Sequence, residues 1–341
     1  MAKMTADVTV CIPTYNHAPF LGTALESCLC QKLTPRFIIV SDDASTDHTR
    51  EVVNDFVLRD GTITYHRHPN NLGLGANADW TLRQAKTEFV ARLGSDDLLA
   101  ADFLSTLVPL LANYPKAGYA HANVREIDES GRLTRFRRLA RTSEYEPGDT
   151  ALLAGSRGYR VAANICLFRR AALESVGFVA GHLSFCEDWD LSIRLADTGW
   201  GNVHSPALLA SYRVWTDAGK VRPRRKQAEI EGCRYVFEHS LEPAFKRRHW
   251  PITALVRQRR RMAACHALAL TDRNLFTTED RANLVRALRG LGDCLALQST
   301  LLAIGLGFGL PMNLANKAEL YLRDQVKSIL CGLRNRTRNG S

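Results

Sequence analysis

Apolar residues recur in an alternating rhythm along the first 115 positions. Short β-prone runs at 8–12 (VTVCI), 37–40 (FIIV), 62–66 (TITYH) and 88–93 (EFVARL) are each followed by apolar positions at helical spacing. In 18–31 these positions are Phe20, Leu21, Ala24, Leu25, Cys28 and Leu29; in 45–57 they are Val52, Val53, Phe56 and Val57. Further helices are predicted near 75–86 and over 101–112. Pro13 is expected to end the first strand, and Ser45 or Thr46 to cap the second helix with Asp47 in its first turn. Four strand–helix repeats predict an α/β domain with a mostly parallel sheet, which binds ligands beyond the carboxyl ends of its strands.

After position 115 the rhythm changes. GYAHANVREID and RLTRFRR flank DESG, a turn between two strands, so the sheet is expected to be mixed. A helix, a strand through ICLF and a short helix follow; EDWDLSIRLADTG then reads as a helix with Leu191 and Leu195 inward and Gly199 as its stop. ALLASYRVW closes the α/β part, and from about 224 onward only helices rich in Arg and Leu are predicted. The expected division is an α/β domain over 1–220 and a basic helical region over 221–341.

With 341 residues, 45% hydrophobic and 23% charged, the chain has the composition of a soluble globular protein of one large domain or two smaller ones. The start, MAKMTADVTV, has no apolar signal-peptide stretch, so a cytoplasmic protein is expected. The nine cysteines are scattered, without a CxxC pair, and read as reduced small hydrophobes in apolar surroundings such as those of Cys11, Cys166 and Cys265. Charge is divided unevenly: residues 1–219 hold 22 Lys and Arg against 25 Asp and Glu (−3), and residues 220–341 hold 23 against 10 (+13).

Three acidic clusters fall at element ends: Asp42 with Asp43, Asp96 with Asp97, and Glu187 with Asp188. One alone would read as a solvated turn or a helix cap. Two at the same end of one sheet point to a ligand edge, because adjacent carboxylates repel unless a cation or water separates them. Oxygen-only donors suit Mg²⁺ or Mn²⁺ bridging to a diphosphate.

These residues carry a family resemblance. VTVCIPTYNHAPFLGTALESCLCQ, IIVSDDASTDHT, NNLGLGANADW, EFVARLGSDDLLAADFL, ICLFRRAALESVGF and FCEDWDLSIRLADTGW resemble, in order and spacing, family-2 glycosyltransferases of the GT-A fold, over about residues 7–215. The resemblance implies a GT-A-like nucleotide-sugar-binding domain with a mixed, mainly parallel sheet, and an inverting enzyme using a nucleotide-sugar, usually a UDP-sugar, with Mn²⁺ or Mg²⁺. By the same resemblance Pro13, Thr14, Tyr15 and Asn16 surround the nucleotide, and Asp43, supported by Asp42, accepts from the uracil or ribose. Asp96 and Asp97 match the end of the family's DxDD metal motif, whose first aspartate is Gly94 here. Asp96 is expected at the donor diphosphate and metal, and Asp97 at the metal. Asp188 matches the catalytic base, with Glu187 as a positioning residue. Tyr212 and Arg213 match an element near the diphosphate, and Trp215 stands where many members have His.

The implied reaction is sugar transfer to a glycan or lipid-linked acceptor in surface polysaccharide or glycoconjugate synthesis. A sugar-phosphate nucleotidyltransferase would need a glycine-rich loop after the first strand, which PTYNHAP lacks. A non-catalytic binding or scaffold protein on a decayed transferase domain is the other alternative, raised by Gly94. In the basic third, KVRPRRKQ, FKRRHW and VRQRRRMAACHALAL suit an anionic membrane face better than nucleic acid, for which no module signature appears. The apolar run 295–310 includes Gln298, Ser299 and Thr300 and falls short of the roughly 20 residues needed to span a bilayer. It reads equally as a buried helix or an interfacial one. A homo-oligomer is a further expectation.

Overall fold

A computed structural model of the chain describes residues 4–308, apart from 142, 216–217 and 273–274, together with positions 311 and 314; for 218–224 it describes the backbone alone. The chain divides into two units, Met1–Val214 and Trp215–Ser341.

The first unit is built on one mixed sheet. Its strands are β1 (Thr5–Thr14), β2 (Thr34–Asp42), β3 (Ile63–Arg67), β4 (Phe89–Arg92), β5 (Leu98–Leu99), β6 (Ala117–Ile127), β7 (Leu133–Arg137), β8 (Tyr145–Glu146), β9 (Cys166–Arg169) and β10 (Gly201–Arg213). The spatial order is β3-β2-β1-β4-β9-β6-β10-β5, with β7 beside β6 and β8 beside β10. β1 to β4 pair in parallel, β6 pairs in parallel with β10, and β9 runs antiparallel between β4 and β6. Six strands therefore end at one edge, at Thr14, Asp42, Arg67, Arg92, Ile127 and Arg213. Pro13 does not end β1: it lies beyond the last β1–β4 pair, Cys11 with Arg92, and continues alongside Ser41 of β2.

Seven helices cover the sheet: α1 (Ala18–Leu29), α2 (Thr49–Arg59), α3 (Leu74–Gln84), α4 (Phe103–Ala112), α5 (Gly148–Gly155), α6 (Arg170–Ser175) and α7 (Glu187–Asp197). Alternation along the strands sorts two cores. Val8, Val10 and Ile12 of β1 with Ala91 of β4 pack against Leu21 and Leu25 of α1, Phe56 of α2 and Leu107 of α4. Cys11 and Val90 face the other way, against Leu82 of α3, Leu173 of α6 and Leu191 and Leu195 of α7. α2 starts later than its Ser45 or Thr46 cap would have it. The Ser45 hydroxyl instead accepts from the Asn16 amide, and Asp47 Oδ1 accepts from Thr49 N and Oγ1. α7 stops at Gly199, whose φ of 93° continues the chain without a β-carbon clash.

The described part of the second unit is helical: α8 (Ala218–Tyr235), a π-helical turn (Val236–Leu241), α9 (Glu242–Arg247), α10 (Thr253–Ala267), a 3₁₀ turn (Leu268–Thr271), α11 (Thr278–Gly292) and α12 (Leu295–Gly305). α11 ends against α10 so closely that a β-carbon at Gly292 would sit 2.9 Å from the Arg260 amide nitrogen. Arg259 donates to Glu238, Glu242 and the Leu291 carbonyl, tying the π turn, α9, α10 and α11 together. Cys11, Cys28, Cys166 and Cys233 are buried, whereas Cys265, expected in apolar surroundings, is exposed because α10 turns it outward. Much of KVRPRRKQ and the end of 295–310 lie outside the fully described residues.

Candidate active site

Three loops beyond the strand ends are stitched into one surface. After β1 the chain turns at Asn16, in the left-handed region (φ 53°), where its Oδ1 accepts from Thr46 N at 2.8 Å. Asp43 N donates to the Thr14 carbonyl at 2.9 Å, and Ala18 N to Asp47 Oδ2 at 3.0 Å. The Asp43 carboxylate accepts from the amides of Leu72 and Gly73, at 2.6 and 2.9 Å, and so fixes the turn before α3. Asp42 is fully buried, taking the Tyr65 hydroxyl at 2.6 Å and Ser45 N at 2.8 Å. Asn77 on α3 closes the set, donating to the Ser41 carbonyl and accepting from its hydroxyl. Pro13 and Thr14 are thereby held in place while Tyr15 projects outward, 45% exposed.

The second group lies after β4. Asp97 is buried, and its Oδ1 accepts from the Arg213 amide at 2.8 Å. The Arg213 guanidinium donates to the carbonyls of Asp96, Asp128 and Glu129, with its carbon 4.7 Å from the centre of the Phe20 ring. It braces the loops with its charge beside the acidic pair. Burial, and next the charge of Asp96, push the Asp97 carboxyl well above the usual range, against the opposing hydrogen bond and charge from Arg213. Gly94 explains the geometry: a β-carbon there would lie 2.6 Å from Asp97 Oδ2 and 3.3 Å from Asp96 Oδ1. The two carboxylates converge on the space the glycine leaves. That donor set fits a small hard cation. Among the described residues no group of three His, Cys, Asp or Glu side chains is placed to enclose an ion, so the remaining oxygens would have to come from the ligand or water.

The third group joins β4 to α7. Arg92 ends β4 on the α7 side and donates to Glu187 Oε1 at 2.7 Å, with both side chains buried. The pair pins the start of α7, where Cys186 is left-handed (φ 64°) and Asp188 accepts from the following amide, Trp189 N, at 2.7 Å. Burial, then the Glu187 charge, raise the Asp188 carboxyl to about 7, with Arg92 pulling the other way. Beside it is a cavity of about 10 Å³, room for roughly one water, lined by Arg92, Tyr159, Asn164 and Asp188. Burial raises the pKa of the Tyr212 phenol first, and the charge of Asp97 raises it further against that of Arg137, with Asp96 and Asp188 adding to the rise.

The strand-end residues singled out from the sequence thus fall into two sets. Thr14, Asn16, Asp42 and Asp43 build the loop frame on the β1–β2 side, and Asp96, Asp97, Arg213 and Asp188 stand just after β4, at the end of β10 and at the start of α7. Arg92 escaped notice as a functional residue, although a charge within the apolar run EFVARL was its signal.

The model of the family described as glycosyl transferase family 2 matches residues 9–177. A GalNAc(5)-diNAcBac-PP-undecaprenol beta-1,3-glucosyltransferase of Campylobacter jejuni is 37% identical over 115 residues, 33% of this chain and 36% of that relative's length. Among solved structures, S. aureus TarS 1–349 in complex with UDP superposes with a TM-score of 0.54 at 17% identity, covering 88% of this chain and 91% of that one. Mannosyltransferase PcManGT from Pyrobaculum calidifontis, in complex with GDP-Man and Mn²⁺, gives 0.58 at 20% identity, covering 98% and 89%. At such identities the likeness shows a shared fold.

Proposed function

With its N-terminal unit belonging to glycosyltransferase family 2 in the GT-A fold, we propose that this chain moves a sugar, with inversion, from a nucleotide-sugar to an acceptor hydroxyl. The observation that carries the reading is that Asp97, held by the Arg213 amide just after β4, and Asp188, at the start of α7 beside the Arg92–Glu187 pair that ends β4, adjoin one end of that strand at the ligand edge of the sheet. The donor is a UDP-sugar, its base and ribose set against the loop of Pro13 to Asn16 and the turn fixed by Asp43. The acceptor is a glycan or lipid-linked glycan, as the name of the Campylobacter relative says of that protein.

The acceptor oxygen attacks the anomeric carbon from the side opposite the diphosphate, and the bond from that carbon to the diphosphate oxygen breaks as the new one forms. Asp188 takes the hydroxyl proton; a carboxyl raised to about 7 holds a proton well enough to act as a general base near neutrality. Asp96 and Asp97 would hold Mn²⁺ or Mg²⁺, which when bound offsets charge on the leaving diphosphate. Arg213 keeps both aspartates in register through its amide and guanidinium. Gly94 is in keeping with this reading, because a β-carbon there would press to 2.6 Å from Asp97 Oδ2 and displace the carboxylate.

Asp188→Asn is expected to lower kcat by about 10²- to 10⁴-fold while donor binding stays near normal. The assay is transfer from a nucleotide-sugar panel in Mn²⁺ and in EDTA. Normal transfer by folded Asp188→Asn protein would remove the base assignment, and full activity in EDTA would remove the metal.

A further inference from the structure

α10 and α12 flank a groove of about 770 Å³, with Arg257, Arg260, Arg261 and Cys265 on one wall and Leu295 and Gln298 on the other. α10 contains no acidic residue and α12 no charged residue at all. Arg259, between these arginines, is spent inside the unit on Glu238 and Glu242, whereas Arg257, Arg260 and Arg261 are exposed. The Leu295 wall continues along the helix. Leu295, Gln298, Leu302 and Leu306 follow one another at spacings of three and four and so share a face. Leu295 is 83% exposed, Leu302 65%, Leu306 68% and Phe308 61%, while Leu297 and Ile304 point inward. Apolar surface of this extent beside clustered cations marks an interaction face.

We propose that this face of α10 and α12 docks on an anionic lipid bilayer, the three arginines at the headgroups and the leucine stripe with Phe308 among the outer acyl chains. Charge selects the occupant. A second copy of the same face would set three arginines against three, with no acid from either helix to offset them; Asp293, just before α12, already accepts from Gln298. Nucleic acid would satisfy the arginines and leave the leucines in water. An 11-residue α12 is about 16 Å long, too short to cross a bilayer of about 30 Å, so it lies in the interface. No helix among the described residues is long and apolar enough to cross. The docking holds whether or not the N-terminal unit transfers sugar.

The test is co-sedimentation of the full chain with vesicles of phosphatidylcholine alone and of phosphatidylcholine with phosphatidylglycerol, at low and high salt. Binding is expected to the anionic vesicles only and to weaken as salt rises. Each arginine contributes about fivefold, so Arg257→Gln, Arg260→Gln and Arg261→Gln together should lower partitioning about a hundredfold. Leu302→Ser with Leu306→Ser, on exposed positions, should also weaken it while the circular dichroism of the helices is kept. Equal sedimentation with both vesicle types, sedimentation with neither, or wild-type binding by both folded variants would overturn the proposal.

Discussion

Arg92 is the side chain on which the proposed base depends. It carries its charge inside the sheet because Glu187 meets it there, and removing either partner leaves the other buried alone. Arg92→Gln should therefore cost about 3 kcal/mol or more in stability. It should also move the pH profile. A base at Asp188 would work deprotonated, so activity is expected to rise with pH through its pKa; a lost positive neighbour raises that pKa and carries the rising limb to higher pH. Arg92→Lys keeps the charge and should keep the limb near its original place. Profiles of kcat/KM for the two variants check this, and an unmoved limb in Arg92→Gln would show that Asp188 does not feel Arg92. The strand run EFVARL announced a buried strand, but no sequence pattern says which carboxylate a buried arginine will find 95 positions later.

At the scale of elements, the strands and helices up to α4, apart from the two-residue β5, were legible because apolar spacing and burial coincide there. β10 was legible only in its second half. Its first residues, Gly201–Ser205, carry no apolar alternation, because Asn202 and His204 are strand residues buried in a polar network. His204 Nε2 lies 3.1 Å from Asn123 Oδ1, and His121 Nε2 lies 3.2 Å from Asn202 Oδ1. Arg141 also bonds Asn202, and Glu146 accepts from the Asn202 amide at 3.2 Å. Burial, then neighbouring positive charge, hold His121 well below its ordinary pKa; burial and Arg141 bring His204 to about 4. Histidines held below their unfolded pKa of 6.5 stabilise the fold fully above that pH, and the contribution is lost as pH falls towards 4. Urea unfolding should thus lose stability between about pH 7 and pH 5. His121→Gln with His204→Gln should flatten that loss, and an equal loss in the variant would assign it to carboxylates instead.

For the whole molecule, the split of −3 against +13 showed two characters before any coordinates did, because charge is summed without knowing the fold. The edge that carries the candidate site was legible for the same kind of reason: acids after apolar strands fall at strand ends whatever the details. What stayed hidden was how much of that chemistry is occupied in holding loops, as Asp42, Asp43 and Arg213 are. Such a frame is built before ligand arrives, so donor binding should show as added stability. A UDP-sugar at about 100 times its Kd, with Mn²⁺, should raise the unfolding free energy of the N-terminal unit by about 2.7 kcal/mol. Thermal melts across a nucleotide-sugar panel measure it, and no shift with any of them would deny the nucleotide site. A last consequence follows from where β10 ends. Val214 donates its amide to Ile127, and the residue before it is Arg213, whose own amide holds Asp97. The chain thus leaves the first unit by the cord that tethers the acidic pair. A graft that exchanged the second unit for another would have to be sewn after Val214; a seam two residues earlier would unstring the carboxylates while leaving the rest of the sheet whole.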